Sequence, residues 1–148
     1  MCAPQRLFDF VTTPSNWVGT HPATKGVRGN TASPKGLGER WFELVEPPGG
    51  RRFEAEWSVV KADPPMLWQI RADKLAGLPA AATITYMIDE RVGEGLANAR
   101  RGSHFRRDMV FSLPDDFQVS DSLRATLTSR ETHDLYLKAV KERLEGTE

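Results

Sequence analysis

Residues 51–61 read RRFEAEWSVVK, and this stretch decides the fold class. Within it, Phe53, Ala55, Trp57 and Val59 alternate with polar residues. Alternation with a period of two puts the apolar side chains on one face of an extended strand and the polar ones on the other. The stretch therefore predicts a strand in a sheet that has one buried face and one solvated face.

The segments on either side of this strand repeat the pattern between turn signals. Pro47-Pro48-Gly49-Gly50 precedes the strand and Ala62-Asp63-Pro64-Pro65 follows it, and both are typical of tight turns. The loop Val92–Arg101 is typical of a hairpin connection. Strands joined by short turns predict an antiparallel meander. Its other members are predicted at Glu39–Glu46, Met66–Asp73, Ala81–Arg91 and Gly102–Leu113, with an extended segment at Thr24–Gly29.

Helical periodicity is confined to the two ends of the chain. Ala3–Thr12 predicts a short helix, Ser15–Thr20 a second short turn, and Asp121–Leu144 one long helix that Gly146 ends. One face of the long helix is apolar at both ends and polar in the middle. Its stripe consists of Leu123, Leu127, Leu137, Val140 and Leu144, with Thr126, Arg130 and His133 in or beside its middle.

The composition is that of one globular domain covering residues 1–148. Twenty basic residues balance twenty acidic ones, which argues against nucleic acid or an anionic membrane as a partner. No apolar stretch is long enough to predict a membrane span, and the N-terminus lacks the apolar run of a secretory signal. Cys2 is the single cysteine and can form no internal disulfide, so we expect a cytoplasmic protein.

The order of these elements predicts an α+β fold. A curved antiparallel sheet of about six strands wraps around the long C-terminal helix, and two short N-terminal helices come before the sheet. Where the side chains of sheet and helix do not fully interdigitate, an apolar cavity remains between the two layers.

Several stretches carry a resemblance to a known superfamily. They are Ala3–Val11, Trp17 with His21-Pro22, Gly36–Trp41, Trp57–Pro65 and Ile84–Ile88, together with the closing helix. In this order, they resemble the START-like (SRPBCC) superfamily, and within it the polyketide cyclase/dehydrase-type proteins. The resemblance implies a helix-grip fold whose deep cavity holds lipids, sterols, polyketides, hormones or other apolar molecules. Some members catalyse cyclisation or dehydration, and many only bind.

One departure from that superfamily concerns the start of the fold. Its members usually begin with a strand before the first helix, whereas here the helical pattern begins at Ala3. Either the first strand is missing, or the sequence belongs to a longer protein. A sheet without this strand has an unpaired edge, and a second copy of the chain can cover such an edge. A homodimer through the exposed sheet edge is therefore expected.

The inner face of the predicted sheet is rich in large apolar side chains. They either line a cavity that holds a small hydrophobic ligand or fill a solid core. The candidates for the cavity wall are Phe53, Trp57, Trp68, Ile84, Tyr86, Phe105, Met109 and Phe111, with Leu137 on the helix.

Arg107 stands out because it lies between Phe105 and Met109 on the apolar face of the last strand. A buried arginine is costly unless paired, and its planar fork suits a ligand carboxylate or enolate. A twist of the strand would instead turn Arg107 outward and bring Arg106 or Asp108 inward, with Asp108 as the acid of the pocket.

Three further polar residues are candidates for ligand binding or catalysis. Tyr86 either donates a hydrogen bond to a ligand carbonyl or is an ordinary core tyrosine. His133 on the closing helix is a candidate general base near neutral pH. Arg130 either faces the cavity with His133 or pairs with Asp134 on the helix surface. His21 and His104 occur in loop or turn contexts, and we expect both to be exposed.

No motif for a metal, a cofactor or a phosphate is present. The histidines and the cysteine lack ligand spacing, and there is no Gly-x-Ser-x-Gly elbow or dinucleotide fingerprint.

Three functional hypotheses follow. The leading one is a protein that binds a small hydrophobic molecule. The second is a cyclase or dehydratase that uses Arg107, Tyr86, His133 or Asp108. The third is an accessory protein-interaction module.

Overall fold

The computed structural model describes residues 2–75, 79–92 and 101–146. The described elements form an α+β helix-grip fold, as expected: a half-barrel of antiparallel strands with a C-terminal helix. Their order is α1 (Pro4–Val11), a 3₁₀ turn (Pro14–Trp17), β1 (Thr24–Arg28), β2 (Arg40–Val45), β3 (Phe53–Asp63), β4 (Leu67–Ala72), β5 (Ala81–Val92), β6 (Arg101–Ser112), α2 (Asp121–Leu127) and α3 (Arg130–Glu145). Residues 93–100 of the expected hairpin loop lie outside the described residues, as do the side chains of Leu123, Thr126 and Leu127.

Each strand pairs antiparallel with the next one in the sequence, so the sheet order is β1 to β6. The pairing of β5 with β6 begins at Ala81 opposite Ser112 and continues along both strands. An irregularity between Val59 and Lys61 interrupts the β3–β4 register. Because such bulges increase the local bend and twist, they help the sheet to curve into a half-barrel.

The two edges of the sheet are β1 and β6. Within the described ranges, neither strand pairs with a further strand on its outer side. The homodimer expected through an exposed edge stays a prediction.

Tryptophans form the solid part of the core. The rings of Trp41 and Trp68 stack with their centroids 5.7 Å apart, and Trp17 contacts both edge-on. Nε1 of Trp68 donates a hydrogen bond to the carbonyl oxygen of Lys35 at 2.9 Å. Since these rings bury large apolar areas, the cluster fixes the 3₁₀ turn against β2 and β4.

The closing helix is shorter than the sequence pattern predicts, because α2 and α3 are separate helices. The Thr128 hydroxyl donates to the carbonyl oxygen of Arg124 at 2.7 Å, and Ser129 adopts an extended conformation with φ −62° and ψ 105°. Such back-bonding by a threonine hydroxyl slightly destabilises a helix, and here it coincides with the end of α2. Gly146 ends α3, as expected.

One face of α3 packs toward the sheet. Its buried residues Tyr136, Val140 and Leu144 are spaced four apart, as one face of a helix requires. The Tyr136 ring meets Phe105 of β6 edge-on at 6.5 Å. No helix in the described part of the chain is long and apolar enough to cross a membrane.

Candidate functional site

A cavity of about 440 Å³ lies between the inner face of the sheet and the C-terminal helical segment. Small-molecule sites in proteins span about 300–1,000 Å³. Its apolar lining consists of Trp17, Ala23, Val45, Phe53, Trp57, Leu75, Ala80, Ile84, Met109, Phe111 and Leu113. Its polar lining consists of His21, Glu43, Arg51, Tyr86, Arg107, Ser120, Ser122, Thr132, His133 and Tyr136, and the turn Pro47–Gly50 completes it.

Strand alternation sets which side chains of β5 and β6 enter the cavity. Arg107, Met109 and Phe111 share the inner face of β6. The register puts Arg107 opposite Tyr86 and Met109 opposite Ile84. The twist that would turn Arg107 outward and Asp108 inward does not occur.

Arg107 links the sheet to α3. Its Nε donates to the Tyr86 hydroxyl at 3.2 Å, and its Nη1 donates to Nδ1 of His133 at 3.0 Å. The guanidinium carbon lies 5.4 Å from the ring centroids of both Tyr86 and Tyr136. Burial acts to lower the pKa of Arg107, but its interactions with Tyr86, Tyr136 and Glu43 together raise that pKa above the ordinary value, so the residue stays a cation.

The two histidines of the cavity are held neutral. Burial and then the charge of Arg107 lower the pKa of His133 below its ordinary value. The same causes, with His133 as a third, lower the pKa of His21 to about 3. His21 packs its ring 5.2 Å from Tyr136 and accepts a hydrogen bond from the backbone N–H of Ala23 at 3.2 Å. The expectation that His21 is exposed is wrong, because its loop folds back over the cavity.

Glu43 is a buried carboxyl group that sequence reasoning did not single out. It accepts hydrogen bonds from the Thr24 hydroxyl and from Nε1 of Trp57. Burial raises its pKa, and these two hydrogen bonds oppose the rise. A signal was available, because Trp41, Glu43 and Val45 share one face of a predicted strand and the two neighbours are apolar.

Tyr136 contributes an unpaired hydroxyl. The side chain is fully buried, and its oxygen makes no hydrogen bond to any described residue. Burial raises its pKa well above the ordinary value, and the nearby Tyr86 adds to the rise although the two oxygens lack hydrogen-bond geometry. The sequence signal was the helical spacing of His133, Tyr136 and Val140, which puts the three on one face.

The part of the cavity around Arg107 thus combines one cation, two neutral imidazoles, two phenols and a carboxyl group. Such a set can orient a polar ligand group or exchange protons with it. Among the described residues, no group of three or more His, Cys, Asp or Glu side chains is arranged to hold a metal ion.

No family model matches the sequence. The chain is 32% identical, over 143 residues, to the penitrem biosynthesis cluster 1 protein I of Penicillium ochrochloron, and the match covers 94% of this chain and 87% of that protein. The chain belongs to the family of that fungal protein. Because the similarity extends over nearly the whole length of both chains, it relates entire domains and is not limited to one motif.

Eight of the residues predicted from the sequence meet around the cavity. They are Phe53, Trp57, Ile84, Tyr86, Arg107, Met109, Phe111 and His133. Seven of them share one cause, the alternation of the strands that the sequence pattern already contained, whereas His133 reaches the cavity from α3.

Three predicted wall residues lie outside the cavity lining. Trp68 is fully buried, and its ring stacks on that of Trp41 in the core. Phe105 stacks on the Tyr86 ring at 5.8 Å, so it supports a lining residue from behind. Leu137 is half-buried against the core and does not reach the cavity.

Two predicted polar residues are directed to solvent. The Arg130 side chain is 91% exposed and lies 3.7 Å from Asp134, in the surface pair that was the alternative. Asp108 pairs with Arg106 at 3.0 Å on the outer face of β6, so it cannot serve as the acid of the cavity. His104 is exposed on that outer face, as expected.

Proposed function

We propose that this protein binds a small, largely apolar molecule in the cavity between the sheet and α3. The observation that carries the proposal is a cavity of about 440 Å³ with apolar walls and a cluster of polar groups around Arg107. Known ligand sites share this design, in which apolar walls supply affinity and a few convergent polar groups fix orientation.

The ligand classes that fit are lipids, polyketides and aromatic or terpenoid-like molecules. The fold agrees with membership in the START-like superfamily, whose relatives use the same cavity. The related fungal protein is named for the penitrem biosynthesis cluster, which supports a role of the present chain in the biosynthesis of a small molecule.

A thermal-shift screen followed by native mass spectrometry tests this proposal. The panel comprises fatty acids, aromatic polyketides and terpenoids. We expect a one-to-one complex and a raised melting temperature for at least one class. Met109→Trp should fill the cavity and abolish the shift. Val110→Trp is the matched control, because Val110 is 60% exposed on the neighbouring position of β6. Equal shifts in both variants would contradict binding in the cavity.

A second candidate is an enzyme of the cyclase or dehydratase type. The observation that favours it is the convergence of Glu43, His133, Arg107 and Tyr86 on one cavity. Glu43 in its carboxylate form, or His133 once the ligand has displaced Arg107 from its Nδ1, would take a proton from the carbon next to a ligand carbonyl. The electron pair would then move to the carbonyl oxygen, and Arg107 with Tyr86 would stabilise the resulting enolate.

Glu43→Gln and His133→Gln test the catalytic candidate. Both replacements keep a polar side chain of similar size but remove the proton acceptor. Under the catalytic hypothesis, one of them should retain binding of a ligand found in the screen and lose its conversion, as measured by mass spectrometry of the ligand. If the wild-type protein returns every bound ligand unchanged, the protein is a binding protein.

A further inference from the structure

We propose that the part of the cavity around Arg107 is a subsite for an anionic oxygen, so that the ligand is a hydrophobic molecule carrying a carboxylate or an enolate. This inference rests on the proposed binding function and names the chemistry of the ligand. Three observations carry it: the partners of Arg107, the free hydroxyl of Tyr136 and the tethering of Glu43.

Arg107 lacks a carboxylate partner. In the described ranges, no carboxylate oxygen lies within 4.0 Å of its guanidinium, and its two hydrogen-bonding partners, Tyr86 and His133, are neutral groups. Nη2 donates to none of the described residues. Removing a cation from water is expensive unless an anion compensates it. The guanidinium therefore presents an unused donor edge and an unneutralised charge to whatever occupies the cavity.

Tyr136 adds a second unused donor at the same place. Its ring lies 5.4 Å from the guanidinium carbon of Arg107, and its buried hydroxyl has no partner among the described residues. Buried polar groups are nearly always hydrogen-bonded, and each exception needs an explanation. An acceptor oxygen bound beside Arg107 would satisfy both residues.

The described residues supply no free anion at this position. Glu43 is the carboxyl group that interacts electrostatically with Arg107, but its oxygens already accept hydrogen bonds from Thr24 and Trp57. Burial also raises the pKa of Glu43, which favours the uncharged form. His21 and His133 have lowered pKa values, so neither adds a competing positive charge.

The remainder of β6 defines where the apolar part of the ligand lies. Met109 and Phe111 follow Arg107 at intervals of two along the same face of β6, and Leu113, just beyond the end of the strand, also lines the cavity. At about 3.3 Å per residue, the span from Arg107 to Phe111 is about 13 Å. A ligand with its anionic group at Arg107 would therefore direct an apolar body along these side chains.

Isothermal titration calorimetry with ligands of matched chain length tests the subsite. The probes are decanoate, decan-2-one and decylammonium, which present an anion, a neutral carbonyl and a cation on similar chains. We expect wild-type protein to bind decanoate at least tenfold more tightly than decan-2-one and to bind decylammonium most weakly. Equal affinity for all three, or preference for decylammonium, would overturn the anionic subsite.

Substitutions at position 107 assign that preference to one residue. Arg107→Met should bind decanoate and decan-2-one equally, whereas Arg107→Lys should keep part of the preference because it keeps the charge. Arg106→Met is the matched control, because Arg106 precedes it on β6 and pairs on the outer face. A preference that survives in Arg107→Met, with the fold verified by circular dichroism, would assign the anion to another site.

A fourth probe separates the two anionic groups. Decane-2,4-dione is weakly acidic, and its enolate absorbs in the ultraviolet. Enolate absorption that appears on mixing with wild-type protein and not with Arg107→Met would identify an enolate subsite. Tight binding of decanoate without that absorption would identify a carboxylate subsite. If the wild-type protein binds none of the four probes, the proposed binding function itself is contradicted, whereas equal binding of all contradicts only the subsite.

Discussion

Nη1 of Arg107 lies 3.0 Å from Nδ1 of His133, and this hydrogen bond joins β6 to α3 across the cavity. Because arginine can only donate, Nδ1 must be the unprotonated nitrogen of a neutral imidazole. The contact therefore fixes the tautomer of His133 and holds the guanidinium in the lining of the cavity. The role of Arg107 in ligand binding and its role in stability can be tested separately.

Arg107→Met should change stability little, by no more than about 1 kcal/mol. The variant loses hydrogen bonds to Tyr86 and His133, but it also removes a half-buried cation that has no carboxylate partner among the described residues. These effects oppose each other. Urea unfolding followed by tryptophan fluorescence measures the difference, and a loss of several kcal/mol would mean that Arg107 is primarily structural.

Tyr136→Phe and Tyr86→Phe should shift stability in opposite directions. The Tyr136 hydroxyl is buried without a partner in the described structure, so its removal should stabilise the unliganded protein by about 1 kcal/mol. The Tyr86 hydroxyl accepts a hydrogen bond from Arg107, so its removal should destabilise by about 1 kcal/mol.

Each tyrosine variant is the control for the other, since both remove one buried phenol oxygen. Equilibrium denaturation of the two variants beside the wild type decides the matter. Destabilisation by Tyr136→Phe would show that its hydroxyl already has a partner, such as an ordered water.

The low pKa of His21 predicts acid sensitivity. Its pKa falls from 6.5 in the unfolded chain to about 3 in the folded one, so between these values the unfolded state binds more protons. Stability should therefore decrease as the pH falls from 6.5 toward 3, by at most about 1.4 kcal/mol per pH unit from this residue. Glu43 has the opposite sign, because its raised pKa favours folding at low pH and this contribution is lost as the pH rises.

A comparison of variants isolates the His21 contribution, since Glu43 and His133 are common to all of them. His21→Asn should flatten the slope of unfolding free energy against pH in this window. His104→Asn, at an exposed position on β6, should leave the slope unchanged. Identical slopes for His21→Asn and wild type would mean that the buried His21 ring is not the source.

Substitutions at Trp68 and Phe111 should have different effects, because Trp68 packs in the core and Phe111 lines the cavity. Trp68→Phe shrinks a fully buried ring and removes the donor to the Lys35 carbonyl, so it should destabilise by about 2 kcal/mol without changing ligand affinity. Phe111→Ala should weaken ligand binding about tenfold through lost apolar contact. Calorimetry and denaturation of both variants measure the two effects, and an affinity loss in Trp68→Phe beyond twofold would place Trp68 in the binding site.

Much of the fold was predictable because its signals are local. The alternation in residues 53–59 and in β5 and β6 identifies strands and their buried faces, and short turns between them indicate the meander. The break between α2 and α3 was not predictable from periodicity, because the stripe that Leu123 and Leu127 begin continues in Leu137 and Val140 on the other side of the break.

The candidate site was predictable in part, and the residues that were missed show why. Glu43 and Tyr136 carried readable signals, because each shares a face with apolar neighbours at the period of its own element. His21 carried none, because its place over the cavity depends on how a loop folds back onto Tyr136. Arg130 and Leu137 are spaced from His133 as residues on one helix face would be, but neither lines the cavity. Arg130 is exposed and Leu137 packs against the core.

The sequence alone determined the class of the fold and the inner face of its strands, because period-two and helical patterns are properties of neighbouring residues. The tertiary structure alone decided that Arg107 meets His133, 26 positions further along the chain, and that Tyr136 and His21 join them. Contacts over that distance depend on the curvature of the sheet and on where α3 begins. Those features arise only when the whole chain packs. The position of the Arg107 charge in the cavity, away from any carboxylate partner among the described residues, arises in the same way.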